Sequence, residues 1–243
     1  MQDAIVIIPT YNESENIKAI LEAVFSQDKA FDVLVVDDNS PDKTGELVKQ
    51  LQEVYPNRLF LESRKEKSGL GTAYIHGFKW CLDKHYDYIF EMDADFSHNP
   101  KDLVRLYKAC HEDGADMAIG SRYVKGVNVV NWPMSRVILS YMASKYVRFV
   151  TGMKIHDTTA GFVCYHKRVL QGLKLDNIRF IGYAFQIEMK FKAYLKKFKI
   201  VEIPVVFTDR TKGESKLSSG IISEAVFGVI SMKLRSIFKK SAV

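Results

Sequence analysis

Cysteine is scarce in this chain. Cys81, Cys110 and Cys164 are the only three, and no two of them stand in a C-x-x-C spacing. An odd, dispersed set argues against a disulfide framework or a structural zinc site and fits a reducing cytosol. Long apolar runs are missing as well: none reaches the roughly 18 residues that a bilayer-spanning helix needs. The start, MQDAIVIIPT, has no basic stretch ahead of its apolar run, so no secretory signal peptide is expected. No P-loop G-x-x-x-x-G-K-[ST] and no H-E-x-x-H is present. The six histidines (His76, His85, His98, His111, His156, His166) fall at no metal-ligand spacing and read as structural or surface residues. Internal repeats and low-complexity linkers are absent too. These gaps leave a protein that is soluble or lies on a surface.

What is present is ordinary globular composition: 243 residues, 47% hydrophobic and 26% charged. That length suits one large α/β domain or two small ones with a real core. The net charge of +6 is unevenly placed, since residues 190–243 hold 12 Lys and Arg against 4 Asp and Glu. Such a tail fits an anionic partner, whether a membrane surface, a phosphorylated ligand or nucleic acid, and equally a solvated basic face.

The first half alternates between two periodicities. Strands are expected at Ala4–Pro9, Asp32–Asp37, near Arg58–Glu62, at Tyr88–Met92 and at Met117–Ser121. Helices are expected at Ser14–Phe25, Asp42–Val54, Thr72–Lys84 and Lys101–Asp113. The strands are short continuous apolar runs (AIVIIP, VLVVDD, YIFEMD), the pattern of strands buried on both faces of a mainly parallel sheet. Ligands of such sheets bind beyond the carboxyl ends of the strands. Polar clusters stand there in register: Thr10 to Glu13, Asp37 to Ser40, Asp93 to Asp95, and Gly120 to Arg122. Several such clusters on one edge point to a nucleotide-sized cleft.

Within FEMDADFSHNP, Asp93 and Asp95 leave a buried strand two residues apart. Two close carboxylates repel and favour protonation unless a cation lies between them. Their hard oxygens suit Mg²⁺ or Mn²⁺ shared with substrate phosphates. A lone D-x-D is also a common Asx-rich turn; the strand exit and the neighbouring Asp37-Asp38 loop favour metal. The loop SRKEKSGLGTA (residues 63–73) combines Arg64, Lys65 and Lys67 with Gly69 and Gly71 and reads as an anion site at a helix start or as a plain helix-entry turn. FTDRTKGESKLS gathers Arg210, Lys212 and Lys216 around Gly213 and suits a loop closing over a diphosphate. Arg122 and Arg136 could bind phosphate likewise or act as surface ion-pair partners. Two basic amphipathic stretches, Met134–Gly152 and Gly220–Lys240, can lie in a lipid interface or pack on the protein's own core.

Taken in order, VIIPTYNESENI, VLVVDDNSPDKTGE, KSGLGTAYIHGF, EMDADFSHNP, GSRYVKG, GYAFQIEMKFKA and PVVFTDRTKGESKLS resemble the dolichol-phosphate (polyprenyl-phosphate) mannose synthases, within the family 2 glycosyltransferases. The resemblance runs from about residue 4 to 220. PTYNE and D-x-D indicate the broad family, while SHNP, FQIEM and R-x₅-K-L indicate the polyprenyl-phosphate branch. It implies an α/β GT-A fold: a mainly parallel central sheet flanked by helices, with a Rossmann-like nucleotide-binding half. It also implies a catalytic domain over residues 1–217, and a C-terminal amphipathic basic helix over 218–243 that is part of that domain or appended to it. The implied reaction moves mannose from GDP-mannose to a polyprenyl or dolichyl phosphate, inverting the anomeric carbon and releasing GDP.

By motif position, Pro9, Tyr11, Glu13, Val36 and Asp38 would hold the nucleotide, with Ala94 against it. Asp93 and Asp95 would hold Mg²⁺ or Mn²⁺ on the diphosphate. Arg122, Arg210 and Lys216 would bind phosphates and, with Asp95, act in catalysis; Arg136 would seat the acceptor phosphate. Ser97 stands where some relatives carry Gln. The chain resembles the short form without a transmembrane region. It would be peripheral at the cytoplasmic face of a membrane, docked on lipid through its amphipathic helices or on a small anchoring protein, with no nucleic-acid partner. A phosphate monoester has a second pKa of about 6, so the acceptor arrives largely as a dianion and needs a cationic seat more than a base. Glu188 of FQIEM could serve as a base, and an interior structural role is the competing reading. UDP-glucose or another nucleotide sugar is the alternative donor. A non-catalytic basic module binding membrane or nucleic acid is the remote alternative.

Overall fold

Strand β1 (Ala4–Thr10) is buried along its length except at Pro9. Its Ile5 and Ile7 belong to one apolar cluster, and Ala4, Val6 and Ile8 to another on the opposite side. Alternation of side chains with both faces apolar forces helices onto both sides of the sheet. The computed structural model describes residues 2–182, 184–209 and 219–238.

The sheet is completed by β2 (Asp32–Asp37), β3 (Leu59–Ser63), β4 (Tyr88–Glu91), β5 (Met117–Ser121), β7 (Val163–His166) and β8 (Ile200–Pro204). Its order is β3-β2-β1-β4-β7-β5-β8. Neighbours pair in parallel except β7, which runs antiparallel to both β4 and β5. A small ribbon joins β6 (Val129–Val130) to β9 (Phe207–Thr208). One face carries α1 (Ile17–Phe25), α2 (Thr44–Val54) and α4 (Asp102–His111). The other carries α3 (Leu70–Leu82), α5 (Met134–Thr151), α6 (Lys167–Gly172), α7 (Ala184–Leu195) and α8 (Ser219–Phe238).

The expected mainly parallel α/β sheet is present, and several element ends differ from expectation by one to three residues. Helix α1 begins at Ile17 and not at Ser14, because the Ser14 amide donates to the Asp42 carboxylate (2.9 Å). Helix α3 begins two residues ahead of the expected Thr72. Strand-like IVEIPVVF divides into β8 and β9, broken after Pro204.

Helices α5 and α8 pack on each other, and α8 also packs on α7. Val229 and Met232 of α8 are buried in the cluster that holds Val147 of α5 and Phe191 of α7. Gly228 permits the approach of Phe180, whose ring carbon would lie 2.5 Å from a Cβ there. Among the described side chains, each of these two helices therefore buries a narrow stripe and leaves further apolar residues outside. Met134, Ile138, Leu139, Met142 and Phe149 of α5 are exposed, as are Phe227, Ile230, Leu234 and Ile237 of α8. Among the described residues, no helix is long and apolar enough to cross a membrane.

Candidate active site

The loops after β1 and β2 are stitched together by short polar side chains. Asp37 accepts from Thr10 Oγ1 (2.8 Å) and from both the amide and hydroxyl of Ser40 (3.0 and 2.6 Å). Ser40 Oγ accepts from the Asn12 amide, and Thr44 Oγ1 from the Glu13 amide (3.0 Å each). Glu13 itself holds the side chain of Asn16 (2.9 Å). Asp38 receives a bidentate grip from Arg64, with Nε at 2.5 Å and Nη2 at 2.7 Å. Tyr11 lies under Lys67, whose Nζ is 4.4 Å from the ring centroid. The half-buried Pro9, Tyr11 and Glu13 thus share one patch with Asp38 at the β1–β2 edge. Val36 stands differently: its side chain is in the core, so only its main chain can face a ligand.

The basic loop 63–73 is no open anion site. The Gly71 amide at the start of α3 donates to the Ile181 carbonyl (2.8 Å). A Cβ on Gly69 or Gly71 would come within 2.8 Å of the Ile181 or Phe180 carbonyl oxygen. These glycines let residues 180–181 pack over the helix start, where a bound anion would otherwise sit.

Asp93 and Asp95 follow β4. Asp95 Oδ1 accepts the Ser97 amide (3.0 Å), and Phe96 takes a left-handed φ of 59°, which turns the loop back on itself. The Asp93 amide donates to Nδ1 of His98 (3.2 Å). The His98 ring stacks on Phe162 (4.9 Å between centroids, 10° between planes) and meets Phe207 edge-on. Burial first, and the Arg122 charge second, push His98 down to about 4, against the opposing pull of Asp95 and Asp157. It is therefore neutral, with Nδ1 as acceptor and its proton on Nε2. Ala94 is buried in the core, so its methyl is turned away from any ligand.

A cavity of about 480 Å³ opens beside this loop. The sheet edge contributes Asp93, Asp95, Ser97, His98 and Arg122; the apolar wall comes from Leu139, Met142, Val147, Ile187 and Val229 of α5, α7 and α8. Arg122 is buried and held by Asp157 through Nε and Nη2 (2.7 Å each), while its Nη2 also reaches Thr159 (2.8 Å). Asp157 is fully buried. Desolvation would raise its carboxyl, but the Arg122 charge and hydrogen bonds outweigh that and hold it below the usual carboxylate range. Glu202 supports the pair by accepting from the Asp157 amide (2.9 Å) and Ser121 Oγ (2.8 Å). Arg136 also lines the cavity, stacked 4.0 Å over Trp132 and bonded through Nη1 to Asp209 (2.8 Å).

Behind the cavity, Glu91 and Lys190 are both fully buried. Gln186 lies between them: its Nε2 donates to Glu91 (2.9 Å), and its Oε1 accepts from Lys190 Nζ (3.1 Å). Lys190 also donates to the Ala160 carbonyl (2.6 Å). Burial drives Glu91 up to about 8 and Lys190 down to about 8, each restrained by the other's charge.

The structure thus brings Asp93, Asp95, Arg122 and Arg136 to one cavity, and places Pro9, Tyr11, Glu13 and Asp38 farther along the same sheet edge. Arg210 and Lys216 lie outside the described residues. Glu188 is absent from the cavity wall; it accepts the Arg179 and Phe180 amides (2.8 and 3.0 Å) and pairs with Lys192 (2.8 Å), a structural role. Asp157, Trp132, Gln186 and Lys190 were not singled out from sequence. A polar run, HDTTAG, marked the first, but nothing local linked it to an arginine 35 residues earlier.

A mainly parallel sheet with helices on both faces, and paired carboxylates beside arginines at its strand ends, is the GT-A architecture of glycosyltransferases. The chain belongs to glycosyl transferase family 2, whose model matches residues 5–173. It is 46% identical over 234 residues to the polyprenol monophosphomannose synthase of Mycolicibacterium smegmatis, covering 96% of this chain and 88% of that one. Over 223 residues it is 45% identical to the undecaprenyl-phosphate mannosyltransferase of Micrococcus luteus, covering 92% and 90% respectively. In fold it is similar to glucosyl-3-phosphoglycerate synthase from Mycobacterium tuberculosis, solved with Mn²⁺, UDP-glucose and phosphoglyceric acid (TM-score 0.66, 15% identity, 96% of this chain and 79% of that one).

Proposed function

We propose that this glycosyltransferase moves mannose from GDP-mannose to a polyprenyl or dolichyl phosphate, giving the polyprenyl-phosphate mannose and GDP with inversion at the anomeric carbon. The observation that carries the reading is the make-up of the cavity. Asp93 and Asp95 stand with two arginines, and an apolar wall continues between α5 and α8. Asp93 and Asp95 are also the only carboxylates among the described residues lining it. A hydroxyl acceptor would call for a further carboxylate as base. A phosphate dianion on a hydrocarbon tail needs cations and an apolar path.

In this reading Pro9, Tyr11, Glu13 and Asp38 hold the nucleotide with main-chain help from Val36 and Ala94. Arg122, Arg210 and Lys216 carry phosphate charge, and Arg136 seats the acceptor phosphate. An acceptor oxygen attacks the anomeric carbon opposite the bond to GDP, and the bond's electrons leave with the diphosphate. The donor set fits a divalent ion. Asp93 and Asp95 offer hard oxygens, and the buried Tyr74 hydroxyl lies beside Asp93. Among the described residues no third ligand side chain joins the two, as suits Mg²⁺ or Mn²⁺ completed by waters and phosphates. When bound, such an ion would neutralise charge developing on the diphosphate. Arg122 shares that task from a rigid mount, because Asp157 and Thr159 fix its plane.

The exposed apolar residues of α5 and α8, flanked by Lys145, Arg148 and Arg235, form a face suited to the headgroup region of an anionic membrane. This would place the enzyme peripherally at a cytoplasmic membrane face, with a small anchoring protein as the alternative partner.

The test is transfer of radiolabelled mannose from GDP-mannose to a short polyprenyl phosphate, with Mg²⁺, Mn²⁺ or chelator, and with UDP-glucose in parallel. Metal-dependent mannolipid that disappears in Asp95→Asn is the expected result. Product from UDP-glucose alone would overturn the donor assignment.

A further inference from the structure

Gln186 is 2% exposed, lines the cavity, and has its amide orientation dictated from behind. Lys190 donates to Oε1, which leaves Nε2 to face Glu91. The Nε2 group carries two N–H bonds, and one described partner, Glu91, takes one of them. On its other side Nε2 borders Gly161 of the cavity wall: a Cβ on Gly161 would lie 3.8 Å from Gln186 Nε2 and 3.9 Å from Cε1 of His98. The absence of a side chain at Gly161 therefore leaves an opening between the oriented amide and the loop that carries Asp93 and Asp95. A buried polar cluster bridged by one glutamine adds little to stability, because desolvation cancels most of the attraction. It does define a single direction for the amide.

We propose that Gln186 reads the transferred sugar by donating this second N–H to a sugar hydroxyl, and that Lys190 acts as a positioning residue that fixes the amide. The inference rests on the sugar lying beside Asp93 and Asp95, as in the function proposed above. In an amide held this way, a hydroxyl at the wrong position or configuration leaves the N–H unpaired, which makes the contact selective as well as attractive.

Calorimetry and steady-state kinetics on Gln186→Met, Lys190→Met and the double variant provide the test, with GDP and GDP-mannose as separate ligands. GDP lacks the sugar, so its affinity should stay within twofold of wild type in all three proteins. kcat/KM for GDP-mannose should fall about tenfold in Gln186→Met, the worth of one hydrogen bond in a water-poor site. Lys190→Met should show a smaller loss of the same kind, and adding it to Gln186→Met should cost nothing further. Equal losses for GDP and GDP-mannose, unchanged kcat/KM in Gln186→Met, or additive losses in the double variant would each overturn the proposal. Should Gln186→Met fold poorly, Gln186→Asn keeps an amide but withdraws it by one methylene and must show the same split. If wild type uses another nucleotide sugar, the same comparison runs with that sugar and its free nucleotide. An error in donor identity therefore appears in wild type, and an error about Gln186 only in the variants.

Discussion

Asp157→Asn isolates the cost of breaking the mount of Arg122. The pair is buried on both sides: the Asp157 side chain is fully enclosed, that of Arg122 is 9% exposed, and three hydrogen bonds join them. Removing one charge leaves a guanidinium in low dielectric with nothing to neutralise it, a loss of about 3–5 kcal/mol. At about 2–4 °C per kcal/mol for a chain of this size, the midpoint of thermal unfolding should fall by about 6–20 °C. The assay is calorimetric or circular-dichroism melting of wild type, Asp157→Asn, Arg122→Met and the double variant. The double variant should melt above Asp157→Asn, because the stranded charge has gone. The acid limb gives an independent check. The folded-state value of Asp157 lies below its unfolded value near 3.9, so its contribution is complete above that pH and fades as pH falls through the folded value. The gap between wild type and Asp157→Asn should therefore be constant from pH 7 to about 5 and close in stronger acid. A loss under 1 kcal/mol, or a double variant no better than the sum of the singles, would refute this account of the pair.

Three further outcomes follow from the packing and the site. Gly228→Ala should cost about 1–3 kcal/mol despite the better helix propensity of alanine, because its methyl meets the Phe180 ring; a melting curve matching wild type would contradict that packing. Phe149→Asp with Phe227→Asp should cut sedimentation with anionic vesicles by about tenfold or more, since both rings are mostly exposed and available to lipid. Transfer to a water-soluble acceptor should persist in that variant, and unchanged vesicle binding would remove these helices from the membrane reading. Glu188→Gln should lower stability through its lost backbone and Lys192 contacts yet keep most activity, whereas Asp95→Asn should abolish it; equal losses with folding intact would reverse the ranking.

The sheet was legible where burial on both faces writes itself into a run of branched residues, so β2 and β5 begin and end where expected. Strand β7 escaped notice because VCYH is four residues long and runs directly into helix α6. Of the site, Asp93 and Asp95 stood out because carboxylates at a strand exit are costly. The partners of Arg122 and of Gln186 did not, because Asp157 and Glu91 meet them only through tertiary folding, across 35 and 95 residues. Amphipathic patterning in α5 and α8 showed that an apolar face existed; how much of it the core covers depended on α7 and Phe180, which no periodicity reports.

The place of β7 has a consequence for assembly of the molecule. Strands β3, β2, β1 and β4 form one block of the sheet and β5 with β8 another, and β7 alone joins them. Strand β7 follows β5 in the chain by more than forty residues. On a ribosome, Asp93 and Asp95 can therefore emerge with their block folded while Arg122 still has no hydrogen-bonded sheet connection to it. Only when residues 163–166 enter between β4 and β5 do the carboxylates and the arginine become walls of one cavity. The candidate site is thus completed only through contacts distant in sequence, the kind that form slowly.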